Sequence, residues 1–122
     1  MIYHLPKVLS ADHLTQARAL LNSGQFIDGK LSAGEMAKQV KHNIELANDG
    51  SVFHQLNELI MPQLVRHGLY TKTAFALRIA APIYAKYAQG MSYGDHVDNP
   101  IMGQGNIYRC DIAVTLFLNE PD

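Results

Sequence analysis

An α+β fold is predicted for this chain by a change of period along it. Apolar residues in the first 70 positions recur every three or four residues, as on helices with one buried stripe. Beyond position 71 they recur at every second residue, as on strands with one buried face. With 48% apolar and 17% charged residues, the 122-residue chain has the composition of a globular protein rather than a disordered one. One domain is expected over 1–122, with a helical layer over 1–70 and strands over 71–122.

Ser10 offers a hydroxyl to cap a first helix over about residues 11–22, in which Leu14, Ala17, Leu20 and Leu21 share a face and which Gly24 ends. Met36, Val40, Ile44 and Ala47 predict a second helix, stopped by Asn48-Asp49-Gly50. Ser51 is expected to cap a third, with Val52, Leu56, Leu59 and Ile60 on one face. Pro62 lacks an N–H, so it should kink this helix or start a new one ending near Gly68.

From Thr73 to Ala80, the alternation of Phe75, Leu77 and Ile79 with smaller or polar residues predicts a strand, which Pro82 breaks. A shorter strand is expected over Ile83–Ala88. Gly90 and Gly94 bracket a turn-rich stretch, and Asn99-Pro100 with Gly103 and Gly105 marks a loop. The clearest strand runs from Tyr108 to Leu118. Tyr108, Cys110, Ile112, Val114, Leu116 and Leu118 form an apolar side, and Arg109, Asp111, Ala113, Thr115 and Phe117 a mixed side free to line a site.

Ten Lys and Arg against eleven Asp and Glu leave a net charge of -1, and the basic residues are dispersed. No footprint for nucleic acid or an anionic membrane is present, so neither partner is expected. Cys110 is the only cysteine, which excludes an intrachain disulfide and fits a reducing compartment, so a cytoplasmic protein is expected. The opening residues lack the charged-then-apolar pattern of a secretory signal, and no run approaches 18 apolar residues. Patterns for an activated serine, a phosphate-cradling loop or a dinucleotide site do not occur.

The residues able to do chemistry are His96-Val97-Asp98. In an extended segment, residues i and i+2 point to one side, so imidazole and carboxylate can converge on one metal ion. That ligand pair suits first-row divalent metals, and two His with one carboxylate is the facial arrangement of non-haem iron(II) oxygenases. Taken alone, the same spacing also describes a surface hydrogen bond between His and Asp.

The surrounding residues point further. The stretch from Tyr87 through Gly90, Tyr93, His96 and Asp98 to Pro100 resembles the iron-binding segment of prolyl hydroxylases. Residues Arg109 to Asp122 resemble the next strand of the PKHD-type (prolyl 4-hydroxylase-like) hydroxylases, and His4-Leu-Pro with Val8-Leu-Ser10 resembles their N-terminus. The resemblance implies an Fe(II)- and 2-oxoglutarate-dependent dioxygenase built on a double-stranded β-helix (jelly-roll) sheet, with helices packed on it. It implies L-ascorbate as a sustaining reductant, dioxygen as co-reactant and an unidentified peptide or small molecule as substrate.

Residue by residue, the resemblance implies His96 and Asp98 as metal ligands and catalytic residues, with Tyr87, Tyr93, Thr115 and Phe117 around the cosubstrate. Ala113, Thr115 and Phe117 occupy matching alternate positions of the last strand. Phe117 stands where animal enzymes place a Tyr, and Tyr87 and Tyr93 read equally as core aromatics. A third ligand and a cosubstrate-gripping Arg are expected further along such proteins. Here no His follows His96, and Arg109 is the only Arg beyond the motif.

The chain is therefore expected to be the N-terminal part of such an enzyme, inactive in isolation, with an open sheet edge that promotes homo-oligomers. Two alternatives stay open: a non-catalytic fragment or interaction module, and a cupin-like metal hydrolase that takes zinc and ignores 2-oxoglutarate. Arg109 is expected to pair with Asp111, and Cys110 to be a buried inert thiol.

Overall fold

The computed structural model describes residues 1–120. They combine α-helices with short antiparallel strands, an α+β composition, and divide into two compact units. One unit comprises Met1–Gln25, Leu46–Ile83 and the segment that starts at Phe117. The other comprises Phe26–Glu45 and Tyr84–Leu116.

The first unit is helical. Its opening helix, α1 (Ala11–Asn22), has Ser10 as N-cap: the Ser10 hydroxyl accepts from the His13 amide at 3.1 Å, and the Ser10 amide donates to His13 Nδ1. Helix α2 (Ser51–Arg66) buries Phe53, Leu56, Ile60 and Leu64, one stripe at helical spacing, and packs against α1. Its N-cap is Gly50, with no side-chain cap, so Ser51 is the first helical residue rather than the cap. Pro62 neither ends α2 nor starts a new helix. Ile60 before it and Leu64 after it are both buried, and that burial outweighs the one backbone bond Pro62 omits. A short helix, α3 (Gly68–Thr73), follows His67, whose Nε2–H donates to the Pro6 carbonyl at 2.9 Å. Leu9, Ala17, Leu46 and Tyr70 complete this core. Gly24 lies so close to the Leu46 side chain that a Cβ there would overlap it.

The second unit holds the strands β1 (Phe26–Asp28), β2 (Lys41–His42), most of β3 (Ile44–Leu46), β4 (Ala85–Lys86), β5 (Ser92–Tyr93), β6 (Ile101–Met102) and β7 (Tyr108–Arg109). They form a sheet ordered β1-β3-β4 and the pairs β2-β5 and β6-β7. Glycine turns connect them as expected. Gly90 and Gly103 have φ of +83° and +98°, left-handed values that cost a side chain more than they cost glycine.

The structure corrects three sequence expectations. No second helix forms over 36–47: two 3-10 turns, Gly29–Ser32 and Ala37–Gln39, lead into β2 and β3. Met36 is 85% exposed, and the buried residues are Lys41, Asn43, Glu45 and Leu46. The 41, 43, 45 alternation belongs to a strand, and its inward face is polar. Thr73–Ala80 is not a strand either. Thr73 ends α3, Phe75 has a left-handed φ of 45° that interrupts an extended run, and Phe75 and Leu77 are exposed. The long strand over Tyr108–Leu118 is reduced to β7. Past the bond from the Cys110 amide to the Pro100 carbonyl, no ladder is described, and Ile112, Val114 and Phe117 are exposed. Cys110 is correspondingly half-buried rather than buried.

Tyr84 is buried in the second unit, and burial pushes its phenol up to about 12. The folded phenol thus holds its proton when an unfolded one, near 10, has lost it. The contribution of Tyr84 to stability should be constant below pH 10 and fall as pH rises from 10 to about 12, by up to roughly 2–3 kcal/mol. Amide hydrogen exchange of the second unit across this range measures the fall. Tyr84→Phe should remove it.

Candidate metal-binding site

The site is set up by β2 and β5. Lys41 lies opposite Tyr93 and His42 opposite Ser92, and the Gly94 amide extends the ladder to the Val40 carbonyl at 2.9 Å. Gly94 faces Val40 so closely that a Cβ would come within 3.0 Å of the Val40 Cβ. The chain leaves the ladder there and delivers His96.

Two contacts hold the imidazole. Its ring stacks on Tyr93, with centroids 3.7 Å apart and planes within 7°. Its Nδ1 is 2.7 Å from the Gly94 carbonyl. A carbonyl only accepts, so the hydrogen sits on Nδ1, and Nε2 turns its lone pair outward in the neutral ring. Nε2 faces Asp98 Oδ1 at 3.2 Å, with side-chain exposures of 24% for His96 and 73% for Asp98. The neighbouring Asn99 side chain rests on Gly34, where a Cβ would come within 2.9 Å of its Nδ2. The loop carrying Asp98 is thereby seated on the second unit.

Two electron-pair donors face each other across this gap, an arrangement that calls for a proton or a cation between them. Adjacent ligands of an octahedral first-row ion, each at about 2.1 Å, lie roughly 3 Å apart, so the separation of His96 and Asp98 fits such an ion. The Gly94 carbonyl behind Nδ1 is the tautomer-fixing partner that metal-bound histidines commonly have. Among the described residues, no group of three or more His, Cys, Asp or Glu gathers.

The remaining predicted residues are placed as follows. Tyr93 lies directly against His96. Tyr87 is 48% exposed just after β4. Ala113 and Thr115 are exposed in the segment after β7, and Phe117, also exposed, belongs to the helical unit. Arg109 pairs with Asp111 through Nε at 2.6 Å, the expected structural role, and that carboxylate raises the guanidinium pKa further. Two surface hollows lie on the helical unit, one lined by Lys7, Ser10, His13 and Gln63 and one along α2, and neither includes His96 or Asp98.

Sequence reasoning missed Lys41 and Glu45. They form a buried ion pair, with Ser32 Oγ also 2.8 Å from the ammonium. Their four-residue spacing reads as a solvated helix pair. The available signal was the alternation of Lys41, Asn43 and Glu45 with Val40, Ile44 and Leu46, two of them β-branched.

Fold and site together define an α+β protein whose second unit presents an imidazole and a carboxylate toward one point. Comparison with known proteins names the relatives. The chain is 39% identical over 122 residues to a PKHD-type hydroxylase of Thioalkalivibrio sulfidiphilus, covering 99% of this chain and 54% of that protein. It is 38% identical over 125 residues to one of Methylobacterium nodulans and 39% identical over 122 residues to one of Acaryochloris marina, covering 100% of this chain and 55% and 54% of those proteins. Along essentially its whole length, then, the chain is a relative of the PKHD-type hydroxylases. It spans about half the length of the curated relatives it matches. No protein-family model matches it. Among the described residues no helix is long and apolar enough to cross a membrane.

Proposed function

We propose that this chain carries the first two metal ligands, His96 and Asp98, of an Fe(II)- and 2-oxoglutarate-dependent hydroxylase. The supporting observation is the convergence of His96 Nε2 and Asp98 Oδ1 at 3.2 Å, in a chain related throughout to PKHD-type hydroxylases. The surrounding sheet would belong to a jelly roll, and the protein to the cytoplasm.

When bound, iron(II) would couple oxidative decarboxylation of 2-oxoglutarate by dioxygen to substrate hydroxylation, with L-ascorbate keeping the metal reduced. The protein's own contribution is positional. Gly94 holds the hydrogen on His96 Nδ1, so Nε2 is free to donate its lone pair. Stacking on Tyr93 fixes the plane of the ring. Asp98 supplies an anionic oxygen beside it and lowers the net charge of a bound dication. Thr115 and Phe117 are proposed as cosubstrate neighbours, together with Tyr87 and Tyr93. The substrate is a peptide or a small molecule.

The whole protein, given iron(II) and 2-oxoglutarate, should release succinate, and His96→Ala or Asp98→Ala should lower the rate roughly a hundredfold or more. Succinate formation that survives both substitutions would reject the assignment. Activity with zinc and without 2-oxoglutarate would favour a metal hydrolase instead. A metal-free contact between His96 and Asp98 is the reading left if iron(II) leaves the His96 ring signals of the whole protein unchanged.

A further inference from the structure

Lys41 and Glu45 are charged, paired and almost fully buried, at 5% and 6% exposure. Such a pair is a poor source of stability, because taking two ions out of water costs about as much as their attraction returns. Its position suggests another purpose. The β2–β5 register sets Lys41 directly opposite Tyr93, and the ammonium lies 5.0 Å from the centre of the Tyr93 ring, within cation–π range. Glu45 and Ser32 hold that ammonium from the protein side, so it cannot swing out to solvent. Tyr93 in turn carries the stacked imidazole of His96.

We propose that Lys41, clamped by Glu45, is a positioning residue that fixes the Tyr93 ring and through it the direction in which His96 presents Nε2. The consequence for a bound metal rests on the hydroxylase reading, whereas the orientation of His96 does not and is measurable on the metal-free chain. A cation held against an aromatic face resists sliding and tilting of the ring, and a parallel stack at 3.7 Å passes that constraint to the imidazole. The hydrogen bond to Gly94 sets the tautomer and limits the torsions of the ring. The stack adds a second restraint, on the plane of the ring.

The test is NMR of the full 15N-labelled chain carrying Lys41→Met together with Glu45→Leu, a pair of apolar replacements of similar size that leaves no ion stranded. Backbone amide dispersion reports folding, and imidazole proton shifts report the Tyr93 stack. In the folded double variant, the upfield ring-current shift of the His96 ring protons should shrink by at least half. Cobalt(II) affinity, read by titration, should fall roughly tenfold, the usual scale for loss of a supporting residue around a metal ligand.

Unchanged His96 ring shifts in a folded double variant would overturn the proposal. Should that variant not fold, Glu45→Gln serves, since it keeps the ammonium and the Tyr93 ring but removes the charge that clamps one against the other. His96 ring shifts that move in folded Glu45→Gln support the relay. Shifts that stay in place while the ring is kept and the clamp is loosened overturn it. If the ring shifts move as expected but the whole protein releases no succinate from 2-oxoglutarate with iron(II), the positioning role stands and the hydroxylase reading fails.

Discussion

Replacing Lys41 alone by Met should destabilise the second unit by about 3–5 kcal/mol, the cost of leaving a buried carboxylate without its cation. Glu45 is nearly as enclosed as Lys41, with side-chain exposures of 8% and 5%, so water cannot take over the role of the ammonium. The loss is a large fraction of the roughly 5–15 kcal/mol that holds a typical domain folded, so the unfolded fraction of the unit should rise by more than a hundredfold. Residue-resolved hydrogen exchange at Glu45 and Tyr93, compared with urea unfolding, reads the effect. Glu45→Leu added to Lys41→Met should recover most of the loss, since the stranded charge is then gone. A change below about 1 kcal/mol for Lys41→Met would mean that the pair behaves as a solvated surface bridge.

The helical unit should respond most to Leu56→Ala. Leu56 is fully buried on α2, in the same stripe as Phe53, Ile60 and Leu64. Truncation removes its transfer free energy and leaves a cavity that the packed helices fill only in part, costing about 2–5 kcal/mol. Leu56→Met, which keeps the volume, should cost less than about 1.5 kcal/mol. Val65→Ala, nine residues further along the same helix but 38% exposed, should stay within about 0.5 kcal/mol. Equal losses at 56 and 65 in urea unfolding would show that burial does not govern this helix.

Both effects depend on features of unequal visibility in the sequence. The stripe on α2 was readable because a helix closes its hydrogen bonds within itself, and the spacing of its apolar residues announces which face is buried. The cap at Ser10 was readable for the same reason: the hydroxyl and the amide it serves are three residues apart. Gly90, Gly103 and Gly105 showed where the chain turns, and all three have left-handed φ.

Residues 36–47 were misread. Met36, Val40, Ile44 and Ala47 have helical spacing, yet β2 and β3 find their partners in β5 and β4, some 40 to 50 positions away. The alternations at 73–80 and 108–118 erred the opposite way. Each has a strand's pattern of side chains, but 73–80 has no described strand beside it, and 108–118 finds one, β6, only for Tyr108 and Arg109. A strand's backbone donors and acceptors are satisfied only across a ladder, so pattern alone does not make one.

The candidate site divides along the same line. Spacing marked His96 and Asp98 as able to converge, because a two-residue interval is a local relation that any extended segment carries, and the resemblance of residues 87–100 to the iron-binding segment of prolyl hydroxylases pointed to a metal. They could not supply the Lys41–Glu45 pair beneath Tyr93, or the stack that turns Nε2 toward Asp98. The pair and the stack each lie within one segment, but the ammonium reaches Tyr93 only once two segments some fifty residues apart are laid side by side, and it is the three-dimensional arrangement that brings them within reach.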